Sequence, residues 1–400
     1  MINEILVKWI DSSTATIVPM KLVLDSQKAV RFMPVDDHGQ DFMYMSDGWI
    51  DSHAHVYDGA TDLGIEADTI GYQTGVHMVI DAGSSGAINE PCFKKYVLPT
   101  QEVSVKAYLN ISRVGLVCKQ PYYDSRLIDP VAAEQCIRDD KDHFLLGIKV
   151  LSSGLIVEHQ GIKPMQIASN LAEKLEVPLM AHLVEGPPSN EDTMKLMKKG
   201  DIITHCFHGV PNILANQKAS RGTPLNMEYC RLANVMWNPD GTPTSPLEKA
   251  LQRGVYLDVG HGAGSFDYAI AKSVIKNGFY NFSISTDAHC RSLPTIVHSL
   301  PHVMSKFLAL GMPLINVIQS FTIIPAHQHG FTDWCNVPLH RATLFRLRKI
   351  QSNDPLFIDS NRIPMEVMQV IEPVAVIKNG YYKAIINYVE EKNNGANNDT

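Results

Sequence analysis

Residues 48–55 have the sequence GWIDSHAH, an apolar run that ends in His53-Ala-His55. Runs of similar length and character recur along the chain as far as residue 289. They are VHMVIDAG (76–83), VSVKAYLNIS (103–112), LLGIKVL (145–151), VPLMAHL (177–183), DIITHC (201–206), VYLDVG (255–260) and FSISTDAH (282–289). Their β-branched and bulky apolar residues are typical of strands that are buried on both faces of a parallel sheet.

Helix-like segments separate these runs. Residues 163–175 have a proline near the start and apolar residues at positions i, i+4 and i+8, and three later segments have a similar pattern. These segments are 191–198, 246–252 and 266–276, and Ser245 is the expected N-cap of the second.

The alternation predicts an α/β fold in which eight strands, each followed by a helix, form a (β/α)8 TIM barrel over residues 49–335. A doubly wound open sheet is the competing architecture. That fold usually has a glycine-rich phosphate-binding turn after its first strand, where this chain has His-Ala-His.

Both flanks of the predicted barrel contain further strand-like pieces. Residues 1–48 and 336–392 hold apolar runs separated by Asp, Ser and Gly. We expect the two flanks to form one small β-sandwich domain that packs on the barrel. Residues 393–400, with the sequence NNGANNDT, are predicted to be disordered.

Composition narrows the class of protein. The chain has 400 residues, of which 45% are hydrophobic and 19% charged, as expected of a compact globular protein. A net charge of -7 disfavours non-specific nucleic-acid binding, and no apolar run is long enough for a membrane span. The seven cysteines are scattered without a CxxC pair, which argues against a disulfide framework and a cysteine zinc site. We therefore expect a cytoplasmic protein with a small-molecule substrate and no nucleic-acid or membrane partner; a homo-oligomer remains open.

Four histidines stand at the predicted carboxyl ends of strands, where a barrel builds its active site. His53 and His55 are i and i+2 on one strand, so they share a face and could bind one divalent cation. His182 and His205 end two later strands. Each alone could equally be a hydrogen-bonded edge histidine, but together the four histidines predict a metal site.

Lys149 and Asp287 add two further candidate ligands. A lysine within an apolar strand must lose the hydration of its ammonium group. It could reach the barrel rim or pair with Asp287 or Glu185; alternatively, burial lowers its pKa and the amine takes up CO2 to form a carbamate. Asp287 could bind a metal and accept a proton from water, or cap the following helix.

These six residues resemble the binuclear metal set of the amidohydrolase superfamily. Three stretches are also similar to its amidohydrolase/deacetylase branch, which includes dihydroorotase-like and adenine-deaminase-like proteins. They are GDIITHCFHG (200–209), RGVYLDVGHGAGSF (253–266) and SISTDAH (283–289). The resemblance covers nearly the whole barrel and is weaker in both flanks.

The resemblance implies a role for each matching residue. His53, His55 and Asp287 would hold the more buried metal, and His182 and His205 the more exposed one. Carboxylated Lys149 and a hydroxide would bridge the two ions, and Asp287 would act as general acid and base. Zn2+ suits these nitrogen and oxygen ligands, and Mn2+ or Fe2+ would fit the same set.

The expected reaction is the hydrolysis of an amide or ester, in particular deacetylation of a small carboxylate-bearing substrate. His208, His261 and Arg291 are the candidate substrate-binding residues, whereas Cys206 is expected to be a small buried apolar residue.

Three other functions remain open. Similar dihydroorotases, which hydrolyse a cyclic amide, have an arginine where this chain has Tyr57. A nucleobase-type deaminase is suggested by His182-x-x-Glu185, but such enzymes use one metal and need no bridging lysine. The third is a catalytically silent homologue that serves as a binding protein.

Overall fold

The computed structural model describes residues 2–39, 41–118, 120–209, 235–335 and 339–385. Its strands form two separate sheets. The strands are β1 (Ile2–Asp11), β2 (Thr16–Asp25), β3 (Lys28–Pro34), β4 (Met43–Asp47), β5 (Trp49–Ala54), β6 (Val76–Asp81), β7 (Ser104–Asn110), β8 (Leu145–Leu151), β9 (Leu179–His182), β10 (Ile202–Thr204), β11 (Tyr256–Asp258), β12 (Arg341–Lys349), β13 (Gln369–Lys378) and β14 (Tyr381–Ala384).

The helices lie mainly between the strands of the second sheet. They are α1 (Glu90–Cys92), α2 (Pro130–Asp139), α3 (Gly154–Val157), α4 (Lys163–Leu175), α5 (Asn190–Lys195), α6 (Ser245–Gln252), α7 (Tyr268–Lys276), α8 (Leu300–Ala309), α9 (Leu314–Gln319) and α10 (Ile323–Gln328). No helix in the described part of the chain is long and apolar enough to cross a bilayer.

Strands β5 to β11 form a parallel sheet in which each strand pairs with the next one along the chain. This arrangement confirms the predicted TIM barrel. The eighth position of the ring is irregular, because residues 282–289 make only isolated bridges, Asp258 to Ser283 and Ala54 to Ala288. Two backbone hydrogen bonds close the ring there, from Asp287 N to His53 O (2.7 Å) and from His55 N to Ala288 O (2.9 Å).

The predicted helix at 163–175 is confirmed as α4, but Ser245 is not an N-cap. Ser245 is the first residue of α6, and Thr244 precedes it in an extended conformation. The Thr244 hydroxyl donates to the carbonyl oxygen of Met236 instead of capping the helix. The N-terminus of α6 is therefore fixed by this contact and by Pro246.

The small β domain is built from both flanks, as predicted. Strands β1 to β4 combine with β12 to β14, and the seven strands close into a barrel. Strand β4 pairs in parallel with β1 and antiparallel with β12, so it joins the two flanks. The residue limits predicted for the two domains stay predictions, and the predicted disordered tail at 393–400 lies outside the described residues.

An aromatic cluster connects the two sheets. The Trp49 ring lies 5.2 Å from that of Phe321 and 5.7 Å from that of Phe345, measured between centroids. Trp334 Nε1 donates to the carbonyl oxygen of Gly48, which separates β4 of the small domain from β5, the first strand of the TIM barrel. This packing fixes where β5 begins, and therefore where its histidines lie.

Candidate metal centre

His53, His55 and Asp287 meet at the carboxyl ends of the barrel strands. Asp287 Oδ1 lies 3.5 Å from His53 Nε2 and 3.2 Å from His55 Nε2. One ligand atom from each residue lies within 4.8 Å of the other two, so the three side chains could hold one cation.

Hydrogen bonds at Nδ1 orient both histidines. His53 Nδ1 lies 2.8 Å from Thr204 Oγ1 and 3.2 Å from Asp258 Oδ2. The Thr204 hydroxyl donates to Asp258 Oδ2, so its oxygen can accept the His53 Nδ1 proton. His55 Nδ1 is similarly 2.9 Å from Ser84 Oγ. These contacts orient both rings so that each Nε2 faces Asp287, as is usual for metal-binding histidines.

His182 and His205 lie beside this group. Their ring centroids are 4.4 Å apart in a T-shaped arrangement, and the His205 ring is 5.2 Å from that of His53. His205 Nδ1 lies 2.7 Å from the carbonyl oxygen of Gly260, which can only accept a hydrogen bond. His205 Nδ1 is therefore protonated, and its Nε2 remains available as a ligand.

Lys149 projects into the same region from β8 and is only 2% exposed. Its Nζ has no hydrogen-bond partner among the described residues. Burial lowers the pKa of Lys149 to about 8, although Asp287 and Asp258 act in the opposite direction. An unpaired buried amine that loses its proton readily fits a lysine that takes up CO2.

The charge state of the centre also fits cation binding. Burial opposes ionisation of Asp287, but the imidazoles of His53 and His55 hold its pKa well below the usual range. Burial lowers the pKa of His53. The group thus offers an ionised carboxylate together with a neutral imidazole, and both are the forms that bind metals.

All six predicted metal-site residues line one cavity of about 250 Å³. Its remaining lining residues are His289 and the apolar side chains Leu63, Ala82, Leu116, Pro121, Leu151 and Ile156. The cavity lining therefore combines candidate metal ligands with a set of apolar side chains, which together are called the apolar wall.

Comparisons with known proteins identify relatives of this chain in sequence and in structure. A deacetylase from Brucella anthropi is 33% identical over 286 residues, and one from Agrobacterium fabrum is 32% identical over the same length. These matches cover 71% of this chain, which spans only 65% of the length of either relative. A crystal structure of a dihydroorotase has 28% identity and a TM-score of 0.77, with 95% of this chain and 97% of that chain covered.

The chain belongs to the amidohydrolase superfamily. A crystal structure of an adenine deaminase, at 24% identity and a TM-score of 0.75, shows the same fold over 95% of this chain and 99% of that one. No protein-family model matches the chain.

Two glycines allow the candidate ligands Asp287 and Lys149 to lie close to neighbouring backbone. Gly262 has a φ of +49°, and a Cβ there would lie 2.2 Å from Asp287 Oδ2. Gly83 has a φ of +85°, and a Cβ there would lie 2.6 Å from Lys149 Cβ. A side chain at either position would displace a candidate ligand.

The three residues predicted to bind substrate lie outside the lining described for the cavity. His208 is buried, and so is His261, whose Nε2 accepts a hydrogen bond from Lys306 Nζ at 2.8 Å. Arg291 is 55% exposed at its side chain and pairs with Asp62 at 2.9 Å. Cys206 is buried, as expected. The substrate-binding roles of the first three residues stay predictions.

Sequence reasoning did not single out His289, which lines the cavity. It follows Asp287 by two positions, and this spacing places residues on one face of an extended segment. The same i, i+2 argument that identified His53 and His55 could therefore have identified His289.

Proposed function

We propose that this chain is a metal-dependent hydrolase that removes a small acyl group, in particular an acetyl group, from an amide or ester. The observation that carries the proposal is the convergence on one cavity of four histidines, Asp287 and the unpaired Lys149. The relatives named as deacetylases support the reaction type.

The proposed cofactor is a pair of divalent cations, with Zn2+ as the first choice. His53, His55 and Asp287 would hold one ion, His182 and His205 the other, and Lys149, carboxylated by CO2, would contact both. When bound, the two ions supply Lewis acidity that activates water and polarises the scissile carbonyl group.

Asp287 is the proposed general acid and base. Its carboxyl group has a pKa well below the usual range and is ionised near neutral pH, so it can accept the proton of the attacking water. It can then give this proton to the leaving oxygen or nitrogen. The same carboxylate is a candidate metal ligand, which keeps it next to the reacting atoms.

Deamination and cyclic-amide hydrolysis are less well supported. Glu185, the proposed acid of a deaminase, forms a hydrogen bond with Ser153 and is absent from the described lining of the cavity. Tyr57 stands where similar dihydroorotases have arginine, and its hydroxyl donates to the carbonyl oxygen of Asn89. Neither side chain is placed to take the role that the alternative reaction requires.

Metal analysis of the wild type and of Lys149→Ala tests the proposal. We expect about two equivalents of metal in the wild type, and one or fewer in the variant, because a lysine carbamate contacting both ions is lost. Hydrolysis of acetylated amino acids and acetate esters should fall by about three orders of magnitude or more in the variant. Lys306→Met is the control, because Lys306 is equally buried but lies outside the cavity lining.

Two results would contradict the proposal. One equivalent of metal in both the wild type and Lys149→Ala would exclude the bridging lysine. Release of ammonia from adenine without hydrolysis of any acetylated compound would instead establish the deaminase alternative.

A further inference from the structure

His289 lines the cavity but is not one of the six candidate metal ligands. Its ring centroid lies 6.4 Å from that of His55, and the residue is 9% exposed. It therefore stands in the cavity next to the proposed metal site.

The surrounding backbone fixes which ring nitrogen of His289 carries a proton. The N–H of Arg291 donates to His289 Nδ1 at 3.2 Å, so Nδ1 acts as an acceptor. The neutral imidazole consequently carries its proton on Nε2. No contact of Nε2 is described, which leaves this N–H as a donor for a molecule in the cavity.

The turn that carries His289 is held by a second set of hydrogen bonds. His289 N donates to Ser292 Oγ at 3.0 Å, and Ser292 Oγ lies 3.0 Å from the carbonyl oxygen of Asp287. Ser292 thus ties His289 to the segment that presents Asp287. The Ser292 hydroxyl therefore holds the backbone of His289 relative to Asp287, and the Arg291 N–H holds the orientation of the His289 ring.

The apolar part of the cavity lining indicates what kind of group the substrate carries. Leu63, Leu116, Pro121, Leu151 and Ile156 contribute apolar side chains, whereas no arginine is part of the described lining. Arg291, the nearest predicted partner for a carboxylate, is paired with Asp62 at the surface. A compact apolar substituent that packs against these side chains would be removed from water, and this burial favours binding.

We propose that His289 is a substrate-binding residue whose Nε2–H donates a hydrogen bond to an oxygen of the acyl substrate. The apolar substituent of that substrate packs on the wall around Leu116 and Ile156. The substrate class is thus an acyl ester or amide with a compact apolar group, and this inference rests on the proposed function.

Two substitutions of His289 separate hydrogen bonding from ring packing. His289→Phe keeps a ring but removes the donor, whereas His289→Gln keeps an N–H near the position of Nε2. We expect kcat/KM for phenyl acetate to fall about 10- to 100-fold in His289→Phe, mainly through KM, and His289→Gln to recover part of it. Metal content should stay at the wild-type value in both variants. His302→Phe is the control, since His302 is a buried ring outside this cavity.

A binding measurement makes the test independent of turnover. Calorimetric titration of the metal-loaded proteins with acetohydroxamate should give an approximately tenfold weaker Kd for His289→Phe than for the wild type. Benzohydroxamate should bind the wild type more tightly than acetohydroxamate, because its ring reaches the apolar wall.

Each contrary outcome has a distinct meaning. Loss of metal in His289→Phe would make His289 part of the metal site, and an unchanged Kd and kcat/KM would remove it from substrate binding. Weaker binding of benzohydroxamate would overturn the apolar substrate class. If the wild type hydrolyses no acyl compound, the proposed function fails, while the hydroxamate titration still decides whether His289 donates a hydrogen bond.

Discussion

Asp258 makes contacts that determine how His53 faces the candidate metal centre. Its carboxylate lies 3.2 Å from His53 Nδ1 and accepts hydrogen bonds from Thr204 (2.7 Å) and Ser283 (2.7 Å). We expect Asp258→Asn to weaken metal affinity by about 10- to 100-fold, because the neutral amide no longer fixes the His53 tautomer. Competition with a chelator of known affinity would measure this.

Asp201→Asn is the matched control for that substitution. Asp201 is also buried, but its carboxylate accepts hydrogen bonds from the backbone N–H groups of Leu179 and Lys198, away from the centre. Asp201→Asn should lower the free energy of unfolding while metal affinity stays the same. An equal loss of metal affinity in both variants would show that Asp258 acts through general stability.

Residue types and their spacing were sufficient to predict that the six candidate ligands lie together, because strand ends meet at one mouth of a barrel; their binding of metal stays a prediction. The positions of His261 and Arg291 could not be predicted in this way. His261 contacts Lys306 and Arg291 pairs with Asp62, and these partners are distant in sequence. Which of several nearby polar side chains faces the cavity depends on such tertiary contacts.

At the scale of elements, the segment that replaces the eighth strand differs most from expectation. Residues 282–289 have the apolar pattern of a strand, but Asp287 has a φ of +46°, which interrupts the extended conformation. The Thr286 backbone N–H and hydroxyl both donate to the carboxylate of Asp51 on β5. Side-chain hydrogen bonds thus replace part of the strand pairing. An apolar sequence pattern does not predict such hydrogen bonds.

The helix predicted at 266–276 also begins later than expected. Asp267 caps α7 by accepting hydrogen bonds from the N–H groups of Ala269 and Ile270. The preceding Phe266 is apolar and buried, so it extended the helical pattern although it lies outside the helix. Local capping, rather than periodicity, decides where this helix begins.

The close approach of the 260–262 turn to Asp287 gives a testable prediction. Gly262→Ala would place its Cβ 2.2 Å from Asp287 Oδ2, so we expect lower metal affinity together with a loss of about 1–3 kcal/mol in stability. Gly278→Ala is the control: its φ is also positive, at +81°, but a Cβ would meet nothing within 4 Å.

Metal analysis and denaturant unfolding of both glycine variants would separate the two effects. The control should lose stability through backbone strain alone and keep its metal. If Gly262→Ala binds metal as tightly as Gly278→Ala does, the close contact with Asp287 has no influence on the centre.

At the scale of the whole molecule, Asp47 lies buried at the junction of the two sheets. Burial raises the pKa of Asp47 to about 7, although the side chains of Cys335 and Ser12 act in the opposite direction. Between about pH 4 and 7 the folded protein therefore binds a proton that the unfolded chain has lost. The free energy of unfolding should fall across this range as pH rises, by at most about 4 kcal/mol.

Asp47→Asn should remove the contribution of Asp47 to this pH dependence, while that of Asp51, whose pKa burial also raises to about 7, persists; the variant should be more stable than the wild type at pH 8. Denaturant unfolding at several pH values, with a chelator present to exclude metal effects, would measure it. Asp36→Asn, at an exposed position of the same domain, should retain the wild-type dependence. A loss of stability in Asp47→Asn at pH 8 would contradict the prediction.

The composite small domain could be predicted because both flanks have strand patterns that need partners. Its closure into a barrel could not, since closure depends on pairing between segments far apart in sequence. The register of β14 against β3 contains a single pair, Tyr381 with Lys28, and two flanking backbone hydrogen bonds, Ala29 N to Gly380 O and Tyr382 N to Gln27 O, complete the contact. An apolar pattern shows that a strand has a buried face, but it does not select the neighbour or the register.

The irregular eighth position has a consequence for the synthesis of the protein. The backbone hydrogen bonds that close the barrel ring join His53 and His55 to Asp287 and Ala288, so closure of the ring also brings together the three residues of the proposed first metal site. A growing chain exposes both histidines long before Asp287 leaves the ribosome. More than half of the polypeptide is translated between the two histidines and Asp287, so the proposed first metal site would become complete only late in synthesis.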